Sequence, residues 1–444
     1  MTVSRRTFVR GLGYGATIGA VGAGLAACSS DTPAPAGSAG GSAAAGGSGE
    51  LTLTTWGSDA EIAAFQTIAD RFAEAEGVTV TIENLPYDQI RTVVDRRLQA
   101  GQAPDLFRVS YTDVGGYASR GVLADLSGTL DASYGEEFLP ALWAAVQSDG
   151  VPVGVPHHTD TSALAFNVEH LEAAGVTSVP QSLEEAWTWE ELVEVLTMLR
   201  ESDIPGAPFA FNYQAFGAFR WFNTLYQAGG QVLDGDTAAL GSPEARKALE
   251  WTKGLYTDGL HEPSVLVRRP TYPDEIFPTG QISMIQTGDF LVPSLEAAID
   301  GRFEWGVTYL PQDVAAAADL GGNAVVVTEQ SRDPQAAAAF ARFLGEAEQM
   351  QYFCEQTTVL PVRNDLAEAE LAFGVRPDLL PVFQQQATTF PEDLVLTTVS
   401  PAFPGINQAL VDNLDQYLGS EDSSTDEVVE VLNADIEAAV AAQA

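Results

Sequence analysis

Lysine is nearly missing from this chain. Of 444 residues only Lys247 and Lys253 are lysine, and Lys+Arg 21 against Asp+Glu 61 leaves a formal net charge of −40. A surface of that sign repels nucleic acid and anionic membrane, so neither is expected as a partner through charge, and a soluble monomer is expected instead. Histidine is sparse, with His157, His158, His170 and His261. His157 and His158 are neighbours whose side chains project apart, and no cysteine or third histidine lies near, so no metal site is assigned. The chain lacks a Gly-x-Ser-x-Gly elbow, a His-Glu-x-x-His pair and a Gly-x-x-x-x-Gly-Lys-Ser/Thr loop. No catalytic residue and no cofactor is therefore assigned. Carboxylates are so numerous that spacing alone does not exclude a pair suited to glycoside hydrolysis, but no pair stands out.

The scarce residues that are present carry information by position. Arg5, Arg6 and Arg10 precede a Gly- and Ala-rich stretch from Leu12 to Ala27, and no acidic residue interrupts them. That stretch is too short and too Gly-rich for a spanning helix and reads as an export signal over 1–27. Ser4-Arg5-Arg6-Thr7-Phe8-Val9 has the form of a twin-arginine motif. Leu25-Ala26-Ala27-Cys28 has the form of a bacterial lipobox, which makes Cys28 the expected lipidation site and mature N-terminus. Loss of 1–27 would move the net charge to about −43. Cys354 is then left without an intramolecular partner.

Residues 28–49 follow as a tether, and from 29 onward they hold only Ser, Asp, Thr, Pro, Ala and Gly. They bury nothing and span roughly 25 Å as a coil. The remaining stretch is too long for one core and implies two domains.

That stretch opens with alternating strands and helices. Leu51–Thr55 alternates as a strand. Ser58-Asp59-Ala60-Glu61 is a capping box, after which Ile62, Phe65, Ile68, Ala69 and Phe72 recur at helical spacing until Gly77. Val78–Ile82 predicts a second strand. Ile90, Val93, Val94 and Leu98 mark a second helix, and Asp105–Val109 a third strand. Thr188–Glu191 is another capping box, and Ser242-Pro243 and Asp333-Pro334 start helices over 243–257 and 334–344. The fold class is α/β, with the first strands parallel through right-handed crossovers. Ligands of such sheets sit beyond the carboxyl ends of the strands. Here those ends are Trp56–Asp59 and Ser110–Asp113. Carboxylates and flat aromatic rings on such loops suit a carbohydrate, whose hydroxyls want planar acceptors and whose C–H faces want a ring. Asp59, Asp113, Asp160, Trp221 and Phe290 are candidates of this kind.

Several segments, in this order and spacing, resemble the family 1 extracellular solute-binding proteins, the group of maltose-binding protein. They include Leu51-Thr-Leu-Thr-Thr-Trp-Gly57, Gly101-Gln-Ala-Pro-Asp105, Gly115-Gly116-Tyr117-Ala118, Asp160-Thr-Ser-Ala-Leu-Ala-Phe-Asn167, Gly306-Val-Thr-Tyr-Leu-Pro311 and Gly321-Gly322-Asn323. The resemblance implies a two-lobed periplasmic-binding-protein-like fold, with hinge-linked lobes around a central cleft. It puts the lobes at 50–160 plus 322–370 and 161–321 plus 371–444. The passes between them fall near Thr159–Ala163, Gly321–Val325 and Leu371–Arg376. It implies ligand contacts at Ser58, Asp59, Tyr111, Thr112, Asp113, Asp160, Trp221, Gly288, Phe290 and Gly322. Phe219, Arg220 and Phe403 fall near further contacts, and the rings of His157 and His158 fall where relatives often carry aromatics. The implied partners are a carbohydrate ligand, the transmembrane subunits of an ABC permease, and the membrane through lipid on Cys28. The implied place is the outer face of the cytoplasmic membrane. Alternatives from the residues are a polyamine, metal chelate or phosphate ester as ligand, or a lipid-anchored polysaccharide-degrading enzyme.

Overall fold

The computed structural model describes residues 49–213, 217–268, 272–367 and 369–443. The export signal, Cys28 and the tether up to residue 48 lie outside the described residues.

Strand β1 (Glu50–Thr55) leads to helix α1 (Asp59–Glu76), strand β2 (Thr79–Asn84), helix α2 (Tyr87–Gln99), strand β3 (Leu106–Ser110) and helix α3 (Tyr111–Ala118). The start of α1 is set locally. Ser58 Oγ accepts from the Glu61 amide at 3.3 Å, and a Glu61 carboxylate oxygen accepts from the Ser58 amide at 2.8 Å. Gly77 ends the helix in the left-handed region at φ 73, which an L side chain rarely adopts. Phe65, Ile68 and Phe72 form the buried stripe. Phe65 lies 4.7 Å from Phe353, and Phe72 lies 5.1 Å from Phe340. The second capping box at Thr188 and the Ser242 and Asp333 caps form as their spacing predicts.

β1 pairs in parallel with β2 and β3, as expected for strands joined by helices. The sheet then departs from that expectation. Asn323–Val327 joins β3 antiparallel, with Asn323 opposite Ser110, and Gly154–His158 joins antiparallel on its far side. The first sheet is thus β2, β1, β3, Asn323–Val327, Gly154–His158. A second sheet holds Trp305–Thr308, Ser162–Asn167, Ile282–Gly288 and Ala207–Ala210, in that order.

Each sheet, covered by helices, is the core of one lobe. The chain leaves the first sheet after His158 and enters the second at Ser162. It leaves the second after Thr308 and re-enters the first at Asn323. The return pass therefore lies mostly ahead of Gly321–Val325, because Asn323 is already the first residue of a strand. The two passes run together. Thr159 Oγ1 donates to the Gly321 carbonyl at 3.1 Å, Thr161 Oγ1 donates to the Asp319 carbonyl at 3.2 Å, and the Gly321 amide donates to the Asp160 carbonyl at 3.0 Å.

Candidate functional site

A cleft of about 520 Å³ lies where the strand ends of the first lobe face the second. One wall is the loops after β1, β2 and β3. The other comes from three distant segments, around Phe219, Phe290 and Phe403. Asp160 and Leu320–Asn323 of the two passes complete the lining.

Aromatic rings stand on both walls. Trp56 and Tyr87 meet at 5.4 Å between ring centres on the first. Phe219 and Phe290 stand on the second, and Phe403, only 1% exposed, borders the cleft 6.1 Å from Phe219. Tyr87 is 38% exposed although it is a large ring. Such a ring keeps a face for a ligand.

The charged groups of the cleft come in pairs. Arg108 meets Glu61 at 2.8 Å, Arg91 meets Asp113 at 3.2 Å, and Arg220 meets Asp160 at 3.6 Å. Behind the last pair, Asp319 is fully buried 2.7 Å from Arg220 and takes a bond from Asn223 at 2.8 Å. Burial raises the Asp160 carboxyl to about 6, with Arg220 opposing the rise and Asp319 adding to it. Burial also raises Asp113, against the pull of Arg91.

Arg108 is held from several directions. Its Nη1 donates to the Trp56 carbonyl at 2.7 Å, and its guanidinium lies 4.6 Å from the Trp56 ring centre. Its Nη2 reaches Nε2 of His158 at 3.1 Å, and the Asn323 side-chain amide reaches the same nitrogen at 3.0 Å. A guanidinium only donates, so Nε2 accepts and the His158 proton sits on Nδ1. Nδ1 then donates to Nδ1 of His157 at 2.9 Å, so the two side chains meet where sequence adjacency led one to expect them to project apart. Burial, then the Arg108 charge, pushes His157 down to about 3 and His158 well below its usual value. The histidine pair is thus a neutral, hydrogen-bonded support. His158 lines the cleft, while His157 lies behind it, stacked 5.1 Å from Phe65. Among the described residues no cluster of three or more His, Cys, Asp or Glu is arranged to hold a metal.

The structure places Ser58, Tyr111, Thr112, Asp113, Asp160, Phe290 and Gly322 on the cleft lining. Gly322 has φ 105, and a Cβ there would fall 2.4 Å from the His158 carbonyl oxygen, so only glycine fits. Three residues expected as contacts lie elsewhere. Trp221 is 1% exposed, and its indole N–H donates to Thr252 Oγ1 at 3.0 Å. The reason is the 3-10 turn Ala218–Trp221, in which residues three apart share a face. Ala218 and Trp221 turn into the core, and Phe219 and Arg220 line the cleft. Asp59 is exposed in the first turn of α1, where a carboxylate suits the helix N-terminus. Gly288 is the buried last residue of its strand; a Cβ there would fall 2.2 Å from the Phe290 ring, so it makes room for that ring. Tyr87 and Arg91, not among the expected contacts, also line the cleft. Both follow the end of β2, and the strand-end rule applied to β1 and β3 would have found them.

The model of the bacterial extracellular solute-binding proteins matches residues 67–373. A Brucella abortus chain named a binding protein is 22% identical over 313 residues, 69% of this chain and 74% of that one. Among solved structures, the GacH receptor of Streptomyces glaucescens, determined unliganded and with acarbose, superposes with a TM-score of 0.75 at 20% identity, covering 88% of this chain and 98% of its own. A solute-binding protein of Thermotoga lettingae bound with α-D-tagatose gives 0.73 at 22% identity, over 88% and 99%. A Listeria monocytogenes ABC substrate-binding protein in complex with cycloalternan gives 0.75 at 20%, over 87% and 97%. With the model match spanning more than half of its length and the two-lobed fold shared with these structures, this chain belongs to the bacterial extracellular solute-binding proteins.

Proposed function

We propose that this protein is the lipid-anchored solute-binding subunit of an ABC importer and that its ligand is an uncharged carbohydrate, most simply an oligosaccharide. The observation that carries this reading is the charge balance of the cleft. Among the described lining residues three arginines face three carboxylates, on a chain whose net charge is −40. A polyamine would want an excess of carboxylates and a phosphate ester an excess of cations. A lining with as many arginines as carboxylates, backed by Asp319 behind Arg220, presents neither excess on its surface and offers hydroxyl partners to a neutral ligand. Aromatic rings on both walls supply the stacking surface a sugar ring needs. The sugars named with the Streptomyces, Thermotoga and Listeria proteins agree with this reading.

In this reading Ser58, Tyr111, Thr112, Asp113, Asp160 and Phe290 form the ligand site, together with Trp56 and Tyr87. The lobes are 50–160 plus 322–370 and 161–321 plus 371–444. Ligand touching both favours the closed form, which the permease then reads. Nucleotide hydrolysis belongs to separate subunits. The site holds ligand without turning it over, as in a family of binding proteins.

A thermal-shift screen tests the ligand class, because a ligand that binds only the folded form raises the melting temperature. Neutral mono- and oligosaccharides, spermidine and sugar phosphates are compared. A shift with spermidine or a sugar phosphate alone overturns the carbohydrate reading. The anchor is tested by Cys28→Ser and cell fractionation: the protein should leave the membrane fraction, and its retention there would sink the lipid assignment.

A further inference from the structure

Arg220 holds two separate passes of the chain at once. Its Nη1 lies 2.7 Å from Oδ2 of Asp319, on the return pass, and 3.0 Å from Oγ of Ser162, where the outgoing pass enters the second sheet. Its Nη2 lies 3.6 Å from Oδ1 of Asp160, on the outgoing pass. Phe219 and Phe290 each stand 5.5 Å from the guanidinium carbon, which limits its freedom to swing. The Asp160 carboxylate is oriented in turn. A Cβ on Gly321 would fall 1.9 Å from Oδ1 and 3.0 Å from Oδ2, so Oδ1 points at the return pass. Oδ1 is sealed from solvent without a hydrogen-bond partner. Ligand in the cleft can meet this side chain only through Oδ2.

We propose that Arg220 is a positioning residue that clamps the two interlobe passes together and turns Asp160, so that one carboxylate oxygen faces ligand while the other stays on the hinge. This rests on the reading of Asp160 as a ligand acceptor. It adds a route by which ligand reaches the hinge. A hydroxyl bound to Oδ2 pulls on a carboxylate whose other oxygen sits against Gly321 and Arg220, and Arg220 holds both passes. No separate relay is needed.

The charged groups around Asp160 are Arg220, Asp319, Asp289, Arg108 and Glu61, with the phenols of Tyr87 and Tyr111 close by. Among them Arg220 opposes the rise of the Asp160 carboxyl most. Removing its charge should raise that carboxyl further, and the clamp is distinguished by both passes loosening in the same variant.

The test uses the whole chain without ligand. Asp160 is followed by carboxyl-carbon NMR, assigned through Asp160→Asn, in the wild type, Arg220→Gln and Arg220→Lys. Hydrogen exchange is read on 159–162 and 319–322. Arg220→Gln should raise the Asp160 midpoint and speed exchange of both segments about tenfold, the equivalent of one net hydrogen bond. Arg220→Lys should restore the midpoint, because it keeps the charge, but not the exchange, because it lacks the fork. If Arg220→Gln fails to fold, Arg220→Met with Asp319→Asn is compared with Asp319→Asn alone. A midpoint that stays in place, or exchange that stays slow, overturns the proposal. Failure of the ligand reading shows separately, as Asp160→Asn binding sugar normally while both apo effects persist.

Discussion

Two aspartates of this protein are both buried from solvent and opposite in character. Asp105 is 2% exposed and Asp160 is 6%. Asp105 immediately precedes β3, at the opposite end of that strand from the cleft. It accepts from the Thr52 amide at 2.9 Å, the Arg332 amide at 2.8 Å, Ser331 Oγ at 3.0 Å and the Arg332 guanidinium at 2.6 Å. Burial raises its carboxyl, but these bonds together outweigh burial and leave it below its usual value. Asp160 has one arginine at ion-pair distance and an oxygen with no hydrogen bond, and burial wins, raising it to about 6. A carboxylate whose bonds are complete serves the fold. One whose remaining oxygen, Oδ2, faces a cleft keeps that oxygen for a ligand.

The comparison would break if both aspartates answered mutation in the same way. The largest effect is expected at Asp105. Asp105→Ala removes four charge-assisted contacts and should cost about 3 kcal/mol of stability in urea unfolding, at the upper end for bonds to a charged group. Its sugar affinity, measured on folded protein, should stay within about twofold. Asp160→Ala should do the reverse. Affinity by calorimetry should fall about 10- to 150-fold, or about 1.5–3 kcal/mol, while the apo melting temperature stays or rises, because an under-satisfied buried charge is gone.

Acid sharpens the contrast. The Asp160 carboxyl is raised in the folded state, so its ionised form is disfavoured there. Its destabilising contribution is present above about pH 6 and fades as the pH falls toward the unfolded value. Ligand hydroxyls want the ionised form, so affinity should weaken as the pH falls through about 6. Between pH 7.5 and 5 a loss of up to about tenfold is expected, absent in Asp160→Asn. The Asp105 carboxyl is lowered. Its contribution is complete above the unfolded carboxylate range and is lost as the pH falls below it. Calorimetry and melting curves across that range should separate the two.

The smallest effects are expected at the aromatics. Phe290→Ala should weaken sugar binding by about 0.5–1.5 kcal/mol, the worth of one stacked ring, with little loss of apo stability. Trp221→Phe should leave affinity alone and lower stability by about 1 kcal/mol, the net value of the lost bond to Thr252. A Phe290→Ala protein that melts far lower yet binds normally would return Phe290 to the core.

The first wall was largely legible because it is built by neighbours in sequence. Each strand end leads directly into a helix, so Ser58 and Tyr111–Asp113 follow from the position of a strand. The second wall was not legible in the same way. Phe219, Phe290 and Phe403 come from segments far apart in the chain, and which of several adjacent rings faces the cleft depends on a local turn. At 219–221 the 3-10 geometry gave the cleft to Phe219 and the core to Trp221.

By itself the sequence determined the order of strands and helices, their caps, the parallel pairing of the first three strands and the family resemblance. Those follow from forces acting within a few residues, such as the Ser58–Glu61 box and the apolar stripe of α1, or from motif order. Only the tertiary structure decided the antiparallel return of Asn323–Val327, the pairing of cleft arginines with carboxylates, Arg220 with both Asp160 and Asp319, and the opposite states of Asp105 and Asp160. Charge and burial act through space, and residues more than two hundred positions apart, such as Asp105 and Arg332, become neighbours only when the chain has folded.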